Sequence, residues 1–458
     1  MSPDVPRQRY AHLDALRAIA ALAVMVEHMV GDLLRQAPAA TGAMRMLAGS
    51  VIENLSLGRF GVALFFLISG FVVPFSISGE RPLRHFAISR LFRLYPAFWL
   101  ALAALTMTAW LDADTPRTAT VLANLTMAPP LFGRPWLSPI HWTLFVELLF
   151  YVLVALLFFA RVLRHVGILL GLSLALIAAT VLPVQLHVHG IASLPAQYLG
   201  MHLSFLFLGL LLRLWLIEQR QRSGFAASIL ILTQIAGLLL VTRFSLARGD
   251  NFVMEGLKPV LSAYMLAIAV FLAAIGLEWP RSRLLARIGL ISYSMYLFHG
   301  TVNGLVYRIL PLTGQFSDIG TMLLCVSLTL LLSWLVYLTV ERPMIRLGRW
   351  ISSRHNPLPA RPSQFADAVH ARSQSPLAPR DADIQGSAIH RPSACRAVAP
   401  DDGCSPTREA EPALYDIAPA SHASDKLVGT ILGTAIAAVA LSWFALLGYV
   451  GWKIAESL

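Results

Sequence analysis

Charge is what this chain has least of. Only 13% of its 458 residues are Asp, Glu, Lys or Arg, about half the share found in soluble globular domains. With 57% hydrophobic residues and a mean hydropathy of +0.66, that deficit excludes a soluble enzyme and indicates a polytopic membrane protein. Cysteine is also scarce. Cys325, Cys395 and Cys404 give neither a disulfide framework nor metal-ligand spacing, and Cys325 reads as a small residue in an apolar run. No long internal repeat stands out, which argues against a transporter built from inverted halves. Acidic residues are outnumbered, 25 against 36 Lys and Arg, for a net charge of +11. The arginines sit in short segments between apolar runs, the bias of cytoplasmic membrane loops rather than a surface for nucleic acid. The first apolar run contains Glu27 and His28 and lacks a small-residue cleavage site, so no secretory signal is expected. His187 and His189 have no third ligand nearby, and no metal is expected.

What remains is a series of apolar runs. Residues 13–34, 57–77, 92–111, 140–160, 166–184, 198–217, 225–242, 257–276, 288 onward and 322–340 read as ten spans. Arg7 and Arg9 place the N-terminus in the cytoplasm, and the basic segments fall inside at nearly every turn. Arg81, Arg84, Arg90 and Arg93 read as one such dense basic loop, with Arg90 and Arg93 sharing a helix face at its end. Residues 35–56 and the Pro-, Asp- and Thr-rich stretch after residue 111 read as outer loops. Residues 352–425, rich in Pro, Ser, Ala, Arg and Asp, cannot bury enough surface to order and form an expected cytoplasmic linker. Residues 427–450 are long enough for an eleventh span. The expected fold is an all-α integral membrane protein: a ten-helix bundle over 1–351, a disordered linker over 352–425, and a last helix with a short tail over 426–458.

Ionisable groups at membrane depth are costly and mark polar cavities. Asp14, Arg17, Glu27 and His28 lie on the first span. Arg17 and His28 fall within about 20° of one face, about 16 Å apart along the axis. Ser69 on the second span, His141, Trp142 and Glu147 on the fourth, and Tyr293, Tyr296 and His299 on the ninth complete the set. A neutral imidazole such as His28 suits removal of a proton from an alcohol during acyl transfer. The bland alternative is a structural hydrogen bond between helices. Arg90 and Arg93 read from charge alone as topogenic residues first, although guanidinium forks also fit the phosphate oxygens of a nucleotide-bearing donor.

These residues carry a family resemblance. HLDALRAIAALAVMVEH, with ten residues between Arg17 and His28, resembles the opening signature of the membrane-bound acyltransferase family 3. FFLISGF at 65–71 is similar to its second element, and FAISRLFRLYPAFW to its third, at Arg90, Arg93 and Pro96. HWTLFVELLFY resembles its Trp-Ser-Leu-x-x-Glu element, with Thr143 in place of Ser beside Trp142 and Glu147. ISYSMYLFH, ending at His299, and Glu341-Arg342-Pro343 resemble the last two, so the likeness runs from residue 10 to about 350. It implies an O-acyltransferase that takes an acyl group, usually acetyl, from cytoplasmic acyl-coenzyme A. The acceptor is a hydroxyl of a carbohydrate or glycolipid, as in O-antigen or exopolysaccharide, at the bacterial inner membrane. It implies that Arg17 and His28 are needed for activity; Glu147 is expected, on the residues themselves, to orient a histidine or bind the acceptor. Arg90, Arg93, Ser69, Trp142, Tyr293, Tyr296 and His299 are expected to bind substrate, and acyl-coenzyme A is a donor substrate rather than a bound cofactor. Some relatives carry an extracytoplasmic hydrolase-like domain after an eleventh span; its expected absence here assigns its step to a separate partner. Direct transfer and a route through an acylated His28 both remain open. So does a transporter or flippase for a lipid-linked sugar, and so does an inactive membrane scaffold.

Overall fold

Long apolar runs with few glycines and prolines inside them leave the backbone one economical choice in lipid, the helix, which satisfies its own hydrogen bonds. In the computed structural model the described residues, 5–37, 43–77, 81–185, 199–248, 256–276 and 282–353, form helices and short connections only. In chain order these are α1 (Val5–Gln36), α2 (Ala43–Asn54), α3 (Leu57–Val72), α4 (Pro82–Leu111), α5 (Thr118–Asn124), α6 (Trp142–Phe159) and α7 (Val166–Gln185). Then follow α8 (Leu199–Leu216), α9 (Gln221–Arg248), α10 (Leu257–Gly276), α11 (Arg283–Leu290), α12 (Ser292–Ile309), α13 (Asp318–Val336) and α14 (Arg342–Ser353). The expected linker, the eleventh span, His187, His189, Cys395 and Cys404 lie outside the described residues.

Every stretch expected to cross the membrane between residues 13 and 340 contains a helix. Seven helical segments are long and apolar enough to cross: Leu57–Ser76, Pro82–Leu111, Pro139–Phe159, Leu199–Leu216, Gln221–Arg243, Leu257–Gly276 and Asp318–Ser352. This makes the chain a multi-pass membrane protein. The count of ten is not reached on that measure. Helix α1 carries Asp14, Arg17 and Glu27, α12 is rich in Ser, Tyr and His, and the apolar part of α7 is the shorter Val166–Leu182.

Two local expectations are corrected. The arginine-rich stretch is not a loop: α4 begins at Pro82 and carries Arg84, Arg90 and Arg93 on continuous helix. Proline suits a first helical turn, and long arginine side chains on a helix can reach polar surroundings while their stems stay on apolar surface. The expected outer loop at 35–56 contains α2, and the one after residue 111 contains α5. That second segment is pinned by buried Asn124, whose side-chain amide donates to Thr120 O at 2.9 Å and Pro135 O at 3.0 Å and accepts from Leu137 N at 3.1 Å.

Helices α3 and α8 form the centre. α8 is buried almost all round, as expected for a helix apolar on every face, whereas α13 presents Leu323, Leu324, Leu328, Leu331 and Leu335 outward. Such a surface needs lipid rather than water. The α3–α8 crossing is set by glycine. A Cβ at Gly70 would lie 1.8 Å from Leu206 O, and one at Gly209 2.3 Å from Leu67 O, so the backbones touch as small residues allow. Gly70→Val is therefore expected to cost at least the roughly 1–3 kcal/mol of overpacking. A lowered thermal unfolding midpoint of the detergent-solubilised protein checks this.

Candidate active site

Five helices converge on one polar cavity. Arg17 reaches it from α1, Ser69 from α3, Arg90 and Arg93 from α4, Thr143, Glu147 and Tyr151 from α6, and Ser292, Tyr293 and Tyr296 from α12. Its volume is about 90 Å³, space for a few water molecules at roughly 30 Å³ each. Phe65, Phe66, Val62 and Leu144 supply apolar wall. Three arginines face one glutamate, so the lining is net positive.

Each polar group is held by a specific partner. Glu147 Oε1 accepts from Tyr151 OH at 2.5 Å, one turn along α6, and from Ser69 Oγ at 3.2 Å across on α3. Arg90 donates from Nη2 to Ser76 Oγ at 2.6 Å. Its guanidinium lies 5.4 Å from the ring centres of both Phe86 and Tyr151, an arrangement in which the rings' negative faces fix the cation. Arg17 pairs with Asp14 at 2.8 Å, one turn back on α1. There α11 packs so closely that a Cβ at Gly289 would lie 1.9 Å from Asp14 O. Tyr293 OH donates to Leu94 O at 2.8 Å. Tyr296 OH donates to Ile140 O at 2.8 Å and lies 2.7 Å from Thr143 Oγ1, which ties α12 to the start of α6.

His28 and His299 do not line this cavity; they adjoin it. Their ring centres are 5.1 Å apart, and the His299 ring is 6.1 Å from that of Tyr296, which does line it. Helical spacing explains the row: Ser292, Tyr296 and His299 recur at i, i+4 and i+7 on α12. His299 is buried, and its Nδ1 sits 2.9 Å from Tyr296 O and 3.2 Å from Met295 O. Both partners accept only, so Nδ1 carries the hydrogen and Nε2 is the lone-pair atom. Trp142 is set apart from the cavity, with its ring 4.6 Å from that of His202 and 6.5 Å from that of Phe66. Thus Arg17, Ser69, Arg90, Arg93, Glu147, Tyr293 and Tyr296 share a cavity, His28 and His299 form an adjoining pair, and Trp142 stands behind Phe66. Among the described residues no three His, Cys, Asp or Glu gather as a metal site.

Comparison with known proteins decides the family. The sequence matches the acyltransferase domain over residues 10–338, a stretch that contains the whole cavity lining and the histidine pair. The chain belongs to this acyltransferase family. The exopolysaccharide production protein ExoZ of Rhizobium meliloti (strain 1021) is similar, 28% identical over 313 residues that cover 65% of this chain and 92% of that protein. No solved structure matches.

Two features of this acyltransferase's site were not singled out from sequence. Tyr151 is the nearer partner of Glu147, and its signal was the i, i+4 spacing in VELLFY. Ser76, which holds Arg90, follows the α3 run with no marking of its own. Away from the cavity lining, Ser294 donates to buried Glu341 of the Glu-Arg-Pro element. A π-helical turn over Tyr337–Glu341 carries that carboxylate, and such turns are common at functional sites.

Proposed function

We propose that this acyltransferase moves an acyl group, acetyl in the simplest case, from acyl-coenzyme A to a hydroxyl of a cell-surface or exported carbohydrate or glycolipid. The observation that carries the reading is the junction of an arginine-lined cavity with the His28–His299 pair inside the matched domain. The relative's description as an exopolysaccharide production protein supports a glycan acceptor. Ten helices cross the bacterial inner membrane with the N-terminus inside, so that donor and acceptor approach from opposite sides.

In this reading His28 takes the proton of the acceptor hydroxyl as its oxygen attacks the thioester carbonyl. The tetrahedral intermediate collapses, the C–S bond breaks, and the coenzyme A thiolate leaves with the proton returned by His28. Arg17, Arg90 and Arg93, on the cavity side, offer positive charge to the donor. Glu147, tied to Ser69 and Tyr151, positions the cavity wall instead of orienting His28. That task falls to His299, whose Nε2 can accept a hydrogen bond from the His28 ring and so leave His28's other nitrogen as the base. His299→Phe keeps a ring in place and removes that acceptor. It is expected to lower kcat roughly tenfold, as the loss of one hydrogen bond of about 1.5 kcal/mol in the transition state implies, with KM for acyl-coenzyme A nearly unchanged; steady-state kinetics checks it.

The deciding assay incubates purified protein with labelled acetyl-coenzyme A. Glycan-dependent release of free coenzyme A is expected. Absence of release, with movement of a lipid-linked sugar across the bilayer, would replace this reading with a transporter. Label retained on His28 in a single turnover without acceptor would assign the acyl-enzyme route.

A further inference from the structure

The candidate cavity is too small for the whole donor. At about 90 Å³ it admits the thioester and the end of its arm, while nucleotide-sized ligands occupy roughly 300–1,000 Å³. A second recess of about 960 Å³ lies close by, lined by Pro74, Phe75, Arg81, Arg84, Phe158, Phe159, Arg161 and Arg164 among others. The two are joined by the chain itself. Val73 lines the cavity, Pro74 and Phe75 line the recess, and Ser76 holds the cavity's Arg90.

We propose that this recess binds the 3′-phosphorylated adenosine diphosphate of the donor, with the pantetheine arm running along α4 and α6 into the cavity. The inference rests on the acyl-coenzyme A reading above. Two helices measure the path independently. From Arg84 to Arg93 along α4 is nine residues, about 14 Å, and from Phe158 back to Glu147 along α6 is eleven, about 16 Å. Both suit an extended pantetheine arm. Arg81, Arg84, Arg161 and Arg164 are exposed and offer planar donors to a diphosphate and a 3′-phosphate. Glu218 approaches Arg164 at 3.6 Å and Arg220 at 3.4 Å, leaving the other three recess arginines to carry most of the recognition. The Arg164 guanidinium lies 5.8 Å from the Phe75 ring centre, and Phe158 and Phe159 provide aromatic surface for the adenine. Anionic lipid headgroups share the phosphate chemistry; the chain's continuity from recess to cavity favours the donor.

The test uses the full chain in phosphatidylcholine nanodiscs. It compares acetyl-coenzyme A with S-acetylpantetheine, which keeps thioester and arm and lacks the nucleotide. Wild type is expected to prefer acetyl-coenzyme A in kcat/KM. The Arg84→Gln/Arg161→Gln variant should lose that preference about tenfold or more, as removal of charge-assisted phosphate contacts implies. Arg84→Lys/Arg161→Lys should regain much of it, and adenosine 3′,5′-bisphosphate should inhibit wild type better than the Gln variant. An unchanged preference, or equal loss with both donors, overturns the recess alone. So does a variant defect seen only when phosphatidylglycerol is added, which assigns the arginines to lipid. A folded wild type that uses neither donor overturns the acyl-coenzyme A reading and the recess together.

Discussion

Replacing His28 with alanine is expected to cut glycan acylation roughly 10²–10⁴-fold, the range a positioned general base supplies. The physical argument is local. His28 is half-buried on α1, its ring centre 5.1 Å from that of buried His299, and alanine removes the imidazole that meets the acceptor hydroxyl in this reading while leaving His299 set back behind it. The side chain is not at a tight helix crossing, and the variant should fold. Coenzyme A release with acceptor present, measured on protein of wild-type thermal stability, reads the effect. Full activity in a folded His28→Ala protein would remove the base from the mechanism.

Glu147→Ala is expected to be nearly as damaging for a different reason. It leaves the Tyr151 and Ser69 hydroxyls without their shared acceptor and three arginines facing an uncharged wall. Orphaning buried donors costs roughly 1–3 kcal/mol each. If about 3 kcal/mol of that reaches the reacting geometry, the rate falls on the order of a hundredfold. Glu147→Gln keeps an acceptor oxygen and the shape and should lose less, roughly tenfold. Comparison of kcat/KM for the two variants separates the carboxylate's charge from its hydrogen bonds. Equal activity of Glu147→Ala and wild type would detach this residue from the site.

The elements that meet at the cavity were legible because helical spacing and the cost of burying charge both act on short stretches. Arg17, Ser69, Arg90, Arg93, Glu147, Tyr293 and Tyr296 could be marked one helix at a time, and α1, α3, α4, α6 and α12 bring them together. Pairings between helices were not legible. Nothing local in ISYSMYLFH says that His299 faces His28, or that Glu147 meets Ser69 and Tyr151 instead of a histidine. The start of α4 was misread for a physical reason: a cluster of arginines marks a membrane boundary, but it does not mark the end of a helix. Helix α4 continues through that boundary, and this is what aligns the recess with the cavity.

The central claim is acylation of a glycan hydroxyl that depends on His28. Mass spectrometry of cell-surface glycans tests it most directly, comparing cells with the gene, without it, and complemented by wild type or by His28→Ala. The expected result is an ester-linked acyl group, labile to mild base, present with wild type and missing both without the gene and with His28→Ala. Identical glycans in all four, with the protein present in the membrane, would contradict it.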